Sequence, residues 1–96
     1  MLLDQLRQMK TRLNSITAQF GARDLRVFGS VARGEEKPDS DVDFLVDLPR
    51  GYDLFTQRIP LTQGLGDLLQ RKVDLVPEHE LNPYLRSQIL AEAVAL

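Results

Sequence analysis

The sequence has no cysteine, no tryptophan and a single histidine, and these absences exclude several kinds of site. Without cysteine, neither a disulfide framework nor a thiolate metal centre can form. No apolar run approaches the ~20 residues that a membrane-spanning helix needs, and no signal-peptide pattern opens the chain. We therefore expect a soluble, cytoplasmic protein that has no membrane partner.

Basic charge is also scarce, since 12 lysines and arginines face 14 aspartates and glutamates, for a net charge of −2. The distribution is uneven: residues 1–34 carry six basic and two acidic side chains, and residues 35–54 carry two basic and seven acidic ones. The chain lacks the basic surface that is typical of nucleic-acid-binding proteins, so we expect no direct contact with nucleic acid. Metal ligands and a solvated loop explain the acidic block better.

The length of 96 residues predicts one domain with a single modest core, covering residues 1–96. Apolar residues recur every three or four positions in residues 1–21, which predicts one amphipathic N-terminal helix packed on a sheet. Residues 52–70 are also helical by pattern, with a break or kink expected at Pro60. An Asn-Pro pair, a good helix start, predicts a final helix over residues 82–96.

Three short apolar stretches, residues 24–29, 41–47 and 72–76, predict the strands of the domain. They lie within residues 24–76, where the catalytic strands and their connecting helices are expected. The sequence therefore predicts an α/β (α+β) fold with a small three-stranded sheet flanked by helices.

Two aspartates, Asp41 and Asp43, lie in the second predicted strand at alternate positions. Residues i and i+2 of a strand share a face and are roughly 7 Å apart along the chain. Like charges held so close repel, and each raises the pKa of the other unless a cation lies between them. Oxygen ligands at this spacing suit Mg²⁺, which commonly uses one or two carboxylates together with substrate phosphates.

The pair Gly29-Ser30 lies between the first predicted strand and a short helical stretch that includes Arg33. Backbone N–H groups at such a junction favour phosphate. Gly29 allows close backbone approach, and Ser30 can cap the helix or donate its hydroxyl to a phosphate oxygen. Arg33 either reaches a triphosphate or forms a surface ion pair. The Gly-Ser pair is a weak motif alone, and its distance from the aspartates makes it informative.

The arrangement Gly29-Ser30, ten intervening residues and then Asp41-Val42-Asp43 resembles the signature of the nucleotidyltransferase superfamily that shares the DNA polymerase β palm fold. The run Gly-Ser-Val-Ala-Arg-Gly and the later residues 71–76 resemble the minimal nucleotidyltransferases, small prokaryotic proteins often paired with a HEPN-domain partner. The resemblance covers roughly residues 23–96. It implies a mixed sheet and a third carboxylate on the third strand, where Asp74 is the only candidate; an exposed aspartate on an edge strand is the alternative.

The resemblance also implies a Mg²⁺-dependent antitoxin, using two metal ions, that transfers AMP from ATP to a tyrosine of a HEPN ribonuclease toxin with which it forms a hetero-oligomer. The implied residues are Asp41, Asp43 and Asp74 for catalysis and metal binding, and Gly29, Ser30 and Arg33 for the nucleotide. Two alternatives remain open. The protein could be a non-catalytic nucleotide-binding antitoxin that acts by complex formation, or a transferase acting on a small-molecule hydroxyl.

Overall fold

The computed structural model describes the whole chain, residues 1–96. Its helices are α1 (Leu2–Gln8), α2 (Lys10–Gln19), α3 (Gly29–Arg33), a π-helical segment (Leu54–Arg58), α4 (Ile59–Leu69), a 3₁₀ turn (Glu78–Glu80) and α5 (Pro83–Glu92). Its strands are β1 (Arg23–Phe28), β2 (Val42–Asp47), β3 (Val73–Pro77) and β4 (Val94–Ala95). None of the helices combines the length and the apolar character needed to cross a bilayer.

The strands form one mixed sheet in the order β3-β2-β1-β4. The β2–β3 pair is parallel, and β1 runs antiparallel to both β2 and β4. The predicted α/β architecture with a mixed sheet is confirmed, but the predicted number of three strands is wrong. The predicted strands are present within one residue of their expected bounds, and the extra strand is β4 at the end of the chain.

The fourth strand arises because the chain leaves α5 at Glu92, so the expectation of a helix over residues 82–96 was too long. Val94 pairs with Val27 of β1, and the Leu96 N–H donates to the Leu25 carbonyl at 3.1 Å. This pairing satisfies backbone groups on the outer edge of β1 that would otherwise lack partners. Tertiary pairing therefore overrides a helical pattern in the last four residues.

The N-terminal segment is two helices, and the expectation of a single helix over residues 1–21 is corrected. The backbone departs from helical values at Met9 (φ −99°, ψ 9°), where α1 ends and α2 begins. The break turns α1 toward α3. The Leu2 N–H then donates to a carboxylate oxygen of Glu36, in the loop that follows α3, at 3.1 Å. Leu6 and Leu13, one from each helix, are both fully buried against the sheet.

The segment from residue 52 to residue 70 forms two helical pieces, as predicted, but the junction lies between Arg58 and Ile59. Pro60 occupies the first turn of α4, where a missing N–H costs nothing because that group has no helical partner. The proline therefore starts a helix, and the preceding turn is a π-helix whose N-terminus Asp53 caps through its side chain.

The sheet separates two apolar clusters. The larger one packs the inner side chains of β1 and β2 against α1, α2 and α4. Its fully buried members include Leu6, Leu13, Leu25, Val27, Val42, Phe44, Leu61 and Leu65. The smaller one lies on the opposite face and contains Phe28, Leu45 and Leu81, with Ile89, Leu90 and Ala93 from the α5 end of the chain packed on it. Strand alternation puts Asp43 on the face of the smaller cluster, beside Leu45.

Candidate active site

Strand β2 holds Asp43 at the centre of the sheet. Its neighbours Val42 and Phe44 point into the larger core and are fully buried, which fixes the register of the strand and leaves Asp43 on the opposite face. Across the sheet, Asp43 is paired in register with Phe28 of β1 and with Asp74 of β3. Adjacent strands lie about 4.8 Å apart, so two carboxylates start from neighbouring backbone positions.

Burial and neighbouring negative charges both disfavour ionisation of the Asp43 carboxyl group. Partial burial raises its pKa above the ordinary aspartate value, and the negative charges of Asp74 and Asp41 raise it further, against a smaller lowering by Arg33. Both effects penalise the charged form of the side chain. A cation at this point would relieve the repulsion.

Gly29 follows Phe28 directly and therefore packs against Asp43. Its backbone has φ +73°, in the left-handed region that favours glycine. A Cβ atom at this position would collide with the Asp43 carboxylate. The structure thus explains the glycine by its conformation and by its contact with the central aspartate.

Ser30 and Arg33 belong to α3, the short helix that begins at Gly29. The sequence left two roles open for the Ser30 hydroxyl, capping the helix or donating to a phosphate oxygen. No side chain caps this helix, so Ser30 does not have the capping role. Arg33 donates through Nε to Glu35 and through Nη1 to Glu92. These hydrogen bonds, first that to Glu92 and then that to Glu35, raise the pKa of the Arg33 guanidinium.

Asp41 and Asp74 surround Asp43 but are more open to solvent. Asp41 lies just before β2 and forms a long ion pair with Lys72 (Nζ–Oδ2 3.8 Å). Asp74 is exposed on β3, which is an edge strand of the sheet. No three acidic or histidine side chains of this structure converge closely enough to enclose a metal ion among them.

The donor chemistry around Asp43 nevertheless fits a magnesium ion. The available ligands are carboxylate oxygens, and the pKa of Asp43 is raised by two neighbouring negative charges that a cation would offset. Mg²⁺ commonly takes one or two protein carboxylates and fills the remaining positions with water and phosphate oxygens. Asp43 with Asp41 or Asp74 therefore supplies as many protein ligands as such an ion needs.

One residue near the site had no signal in the sequence. The Glu92 carboxylate at the end of α5 accepts a hydrogen bond from the Gly29 N–H at 2.9 Å and from Arg33 Nη1 at 3.0 Å. Its position depends on the pairing of β4 with β1, which brings together residues far apart in the chain. No local pattern could have identified it.

A cavity of about 210 Å³ opens beside Asp74, between β3 and the π-helical segment. Its lining consists of Leu54, Arg58, Ile59, Thr62, Gln63, Asp74 and Leu75. Arg58 holds the π-helical segment in place, because it donates to the Leu75 carbonyl at 3.1 Å and to the Tyr52 hydroxyl at 2.9 Å. The cavity thus joins an apolar wall to the outermost carboxylate of the site.

Comparisons with protein families, with known sequences and with solved structures all indicate the same family. A model of the nucleotidyltransferase domain matches residues 6–96. The chain is 43% identical over 76 residues to the protein adenylyltransferase MntA of Thermococcus cleftensis, covering 79% of this chain and 76% of that protein. Among solved structures, a provisionally assigned minimal nucleotidyltransferase superposes with a TM-score of 0.84 at 45% identity, covering 98% of this chain and 95% of the other. A toxin-antitoxin structure with AMP-PNP has a TM-score of 0.65 at 27% identity, and the match covers 77% of this chain and 59% of that chain.

Proposed function

The chain belongs to the nucleotidyltransferase domain family, and from that premise we propose that it is a Mg²⁺-dependent protein adenylyltransferase. It transfers AMP from ATP to a tyrosine of a HEPN ribonuclease toxin and thereby neutralises that toxin. The observation that carries the proposal is the position of Asp43, which has Asp74 beside it on one neighbouring strand and Gly29 against it from the other side. The residues proposed to bind metal and those proposed to bind phosphate are therefore adjacent.

The nucleotide half of the site is supported by the hydrogen-bond donors that lie near Asp43. The Gly29 N–H and the Arg33 guanidinium already share one anionic partner in this structure, which supports their ability to bind phosphate oxygens. Ser30 adds a hydroxyl that does not cap its own helix. A relative of similar fold was crystallised with AMP-PNP, which supports a nucleoside triphosphate as substrate.

The proposed reaction is an in-line displacement at the α-phosphorus of ATP. The acceptor hydroxyl oxygen forms a new bond to phosphorus, the bond to the bridging oxygen breaks, and pyrophosphate leaves with its electron pair. Asp74 accepts the proton of the hydroxyl or helps to hold metal, and Asp41 and Asp43 hold metal. Bound Mg²⁺ would neutralise the charge that develops on the phosphoryl oxygens. Gly29, Ser30 and Arg33 orient the triphosphate, so positioning and charge stabilisation carry most of the catalysis.

The acceptor side of the proposed site is the cavity next to Asp74. The apolar side chains of Leu54, Phe55 and Ile59 are exposed at or near this cavity, and 77% of the Phe55 surface is accessible. Exposed apolar residues beside a catalytic carboxylate support a protein acceptor that contributes apolar surface of its own. One related protein of known structure is a toxin-antitoxin structure with AMP-PNP, which supports a toxin as that acceptor.

The decisive experiment measures the intact mass of a HEPN-domain protein from the same genome after incubation with this protein, ATP and Mg²⁺. We expect an increase by one or more adenylyl groups and loss of the toxin's ribonuclease activity, with a tyrosine as the modified residue by peptide mapping. A stable complex that inhibits the toxin without any mass change would contradict the enzymatic proposal and support inhibition by binding. Turnover of ATP that requires a small hydroxyl compound in place of the protein would support the remaining alternative.

Replacing Phe55 with alanine is expected to weaken recognition of the protein acceptor and to leave nucleotide binding intact. Phe55 is exposed and makes no part of the proposed phosphate-binding group. KM for the acceptor should therefore rise about 5- to 30-fold, which corresponds to about 1–2 kcal/mol for an aromatic side chain lost from an interface. Steady-state kinetics with varied acceptor and then varied ATP separate the two constants. Tyr84→Ala, which removes an exposed aromatic from α5, is the matched comparison. An equal rise in both KM values would contradict this assignment.

A further inference from the structure

The Glu92 carboxylate accepts hydrogen bonds from the same donors that we propose to bind the nucleotide. Oε1 accepts from the Gly29 N–H at 2.9 Å, and the two carboxylate oxygens accept from Arg33 Nη1 at 3.2 and 3.0 Å. The Glu92 side chain is only 19% exposed. A carboxylate with two acceptor oxygens resembles the edge of a phosphate group in charge and shape, and bonds of this kind are among the stronger hydrogen bonds in proteins.

The position of Glu92 is set by the sheet. Val94 of β4 lies opposite Val27 of β1, and the two strands are antiparallel. The same register continues just past the ends of the two strands. Gly29, two residues after Val27, therefore lies opposite Glu92, two residues before Val94. The contact is therefore a consequence of strand pairing, reinforced by the Leu96 N–H bond to Leu25 at 3.1 Å.

We propose that Glu92 is an intramolecular competitor of the triphosphate: its carboxylate occupies the Gly29 N–H and Arg33 in the nucleotide-free protein and must leave when ATP binds. This inference rests on the proposed function, because it concerns the same nucleotide site. Glu92 also adds a negative charge near Asp43 and contributes to the raised pKa of that residue. Two effects of Glu92 thus oppose an incoming polyanion: it occupies the donors, and it repels negative charge.

The pairing of β4 fixes the chain after Glu92, but α5 before it is weakly anchored, which makes release of the Glu92 side chain physically reasonable. No residue of α5 is fully buried, and the helix contacts the smaller apolar cluster only through partly buried side chains such as Ile89 and Leu90. Little apolar surface would be exposed if the end of α5 moved. Occupancy of the donors by Glu92 therefore sets the affinity for ATP, and removal of its carboxylate should raise that affinity.

The test compares the affinities of Glu92→Ala, Glu35→Ala and the unmodified protein for ATP in the presence of Mg²⁺, by isothermal titration calorimetry. The Glu35 carboxylate also accepts a hydrogen bond from Arg33, at 3.2 Å from Nε, but it makes no hydrogen bond to Gly29. Both variants lose one negative charge near Arg33. The difference between their Kd values for ATP therefore reports the occupancy of the Gly29 N–H and Arg33 by Glu92. We expect Kd to fall about tenfold in Glu92→Ala, the size of one charge-assisted hydrogen bond removed from competition. In Glu35→Ala it should change less than about twofold, since that pair is exposed.

A second variant, Glu92→Gln, guards against loss of folding because it keeps the shape of the side chain and one acceptor oxygen. It should bind ATP more tightly than the unmodified protein and less tightly than Glu92→Ala. Measurable but equal or weaker binding by both Glu92 variants would overturn the inference and leave the proposed function standing. Absence of ATP binding by every protein, with circular dichroism showing intact folds, would instead overturn the nucleotide site itself.

Discussion

Replacing Asp43 with asparagine is expected to reduce AMP transfer by about 10²–10³-fold and to leave the fold intact. The amide keeps the size of the side chain, but it removes the negative charge that would hold metal at the centre of the site. Losses of this order follow removal of a single group that stabilises charge in a transition state. The measurement is the rate of adenylyl transfer to the proposed HEPN acceptor, followed by intact mass.

The same substitution should make the metal-free protein at least as stable as the unmodified one. Because burial and the charges of Asp74 and Asp41 raise the pKa of Asp43, the folded state binds this proton more tightly than the unfolded state does. Stability contributed by this group is therefore present at low pH and is lost as the pH rises from the ordinary aspartate value through the raised folded pKa. An asparagine side chain has no charge to bury, so the advantage of the variant should increase with pH across that window.

Thermal unfolding without metal, at a series of pH values above about 4, measures this difference, and addition of Mg²⁺ should stabilise the unmodified protein more than the variant. Asp47→Asn is the matched control. Asp47 lies two pleats along the same face of β2, where it pairs with exposed Arg23 at 2.9 Å, and its loss should change stability by less than about 1 kcal/mol. Activity of Asp47→Asn should be unaffected. A large loss of stability in Asp43→Asn alone would show that the carboxylate has a structural role.

The sequence predicted the elements that carry strong local patterns. The apolar stretch over residues 41–47 correctly identified β2. In the structure Val42, Phe44 and Val46 are buried on one face of this strand, and Asp43 lies on the other. That a third carboxylate, Asp74, lies on a strand next to β2 was implied by the family resemblance, since alternation alone does not specify which strands are neighbours; the parallel direction of this pair and its register come from the structure. Which of the six implied residues bind metal or nucleotide is a prediction still, and Asp43→Asn tests one of them.

The features that escaped prediction depend on contacts between distant parts of the chain. Strand β4 has two residues, too few for an alternation pattern, and its sequence continues the apolar stripe of α5. The break at Met9 has no glycine or proline to announce it; the helix turns there because α1 packs against α3 as well as against α2. Glu92 acquires its position only through β4. Long-range pairing therefore determined most of what local patterns could not.

Replacing Gly29 with alanine is expected to lower both stability and activity. Alanine at φ +73° costs about 1–2 kcal/mol, and its Cβ would also push against the Asp43 carboxylate. We expect a total loss of at least about 2 kcal/mol in the free energy of unfolding, or roughly 8 °C in Tm for a domain of this size. Displacement of Asp43 should lower the rate of transfer even at temperatures where the variant is fully folded.

The glycine at position 34 provides the control that separates these two causes. Gly34 has nearly the same backbone conformation, φ +71°, but a Cβ there would meet only the flexible end of the Met1 side chain. Gly34→Ala should therefore lose the conformational part alone, about 1–2 kcal/mol, and retain its activity when folded. If the two variants lose equal stability and both stay active, the contact between Gly29 and Asp43 has no role in the site. A larger loss confined to Gly29→Ala means that the site requires the close approach of the Gly29 backbone to Asp43.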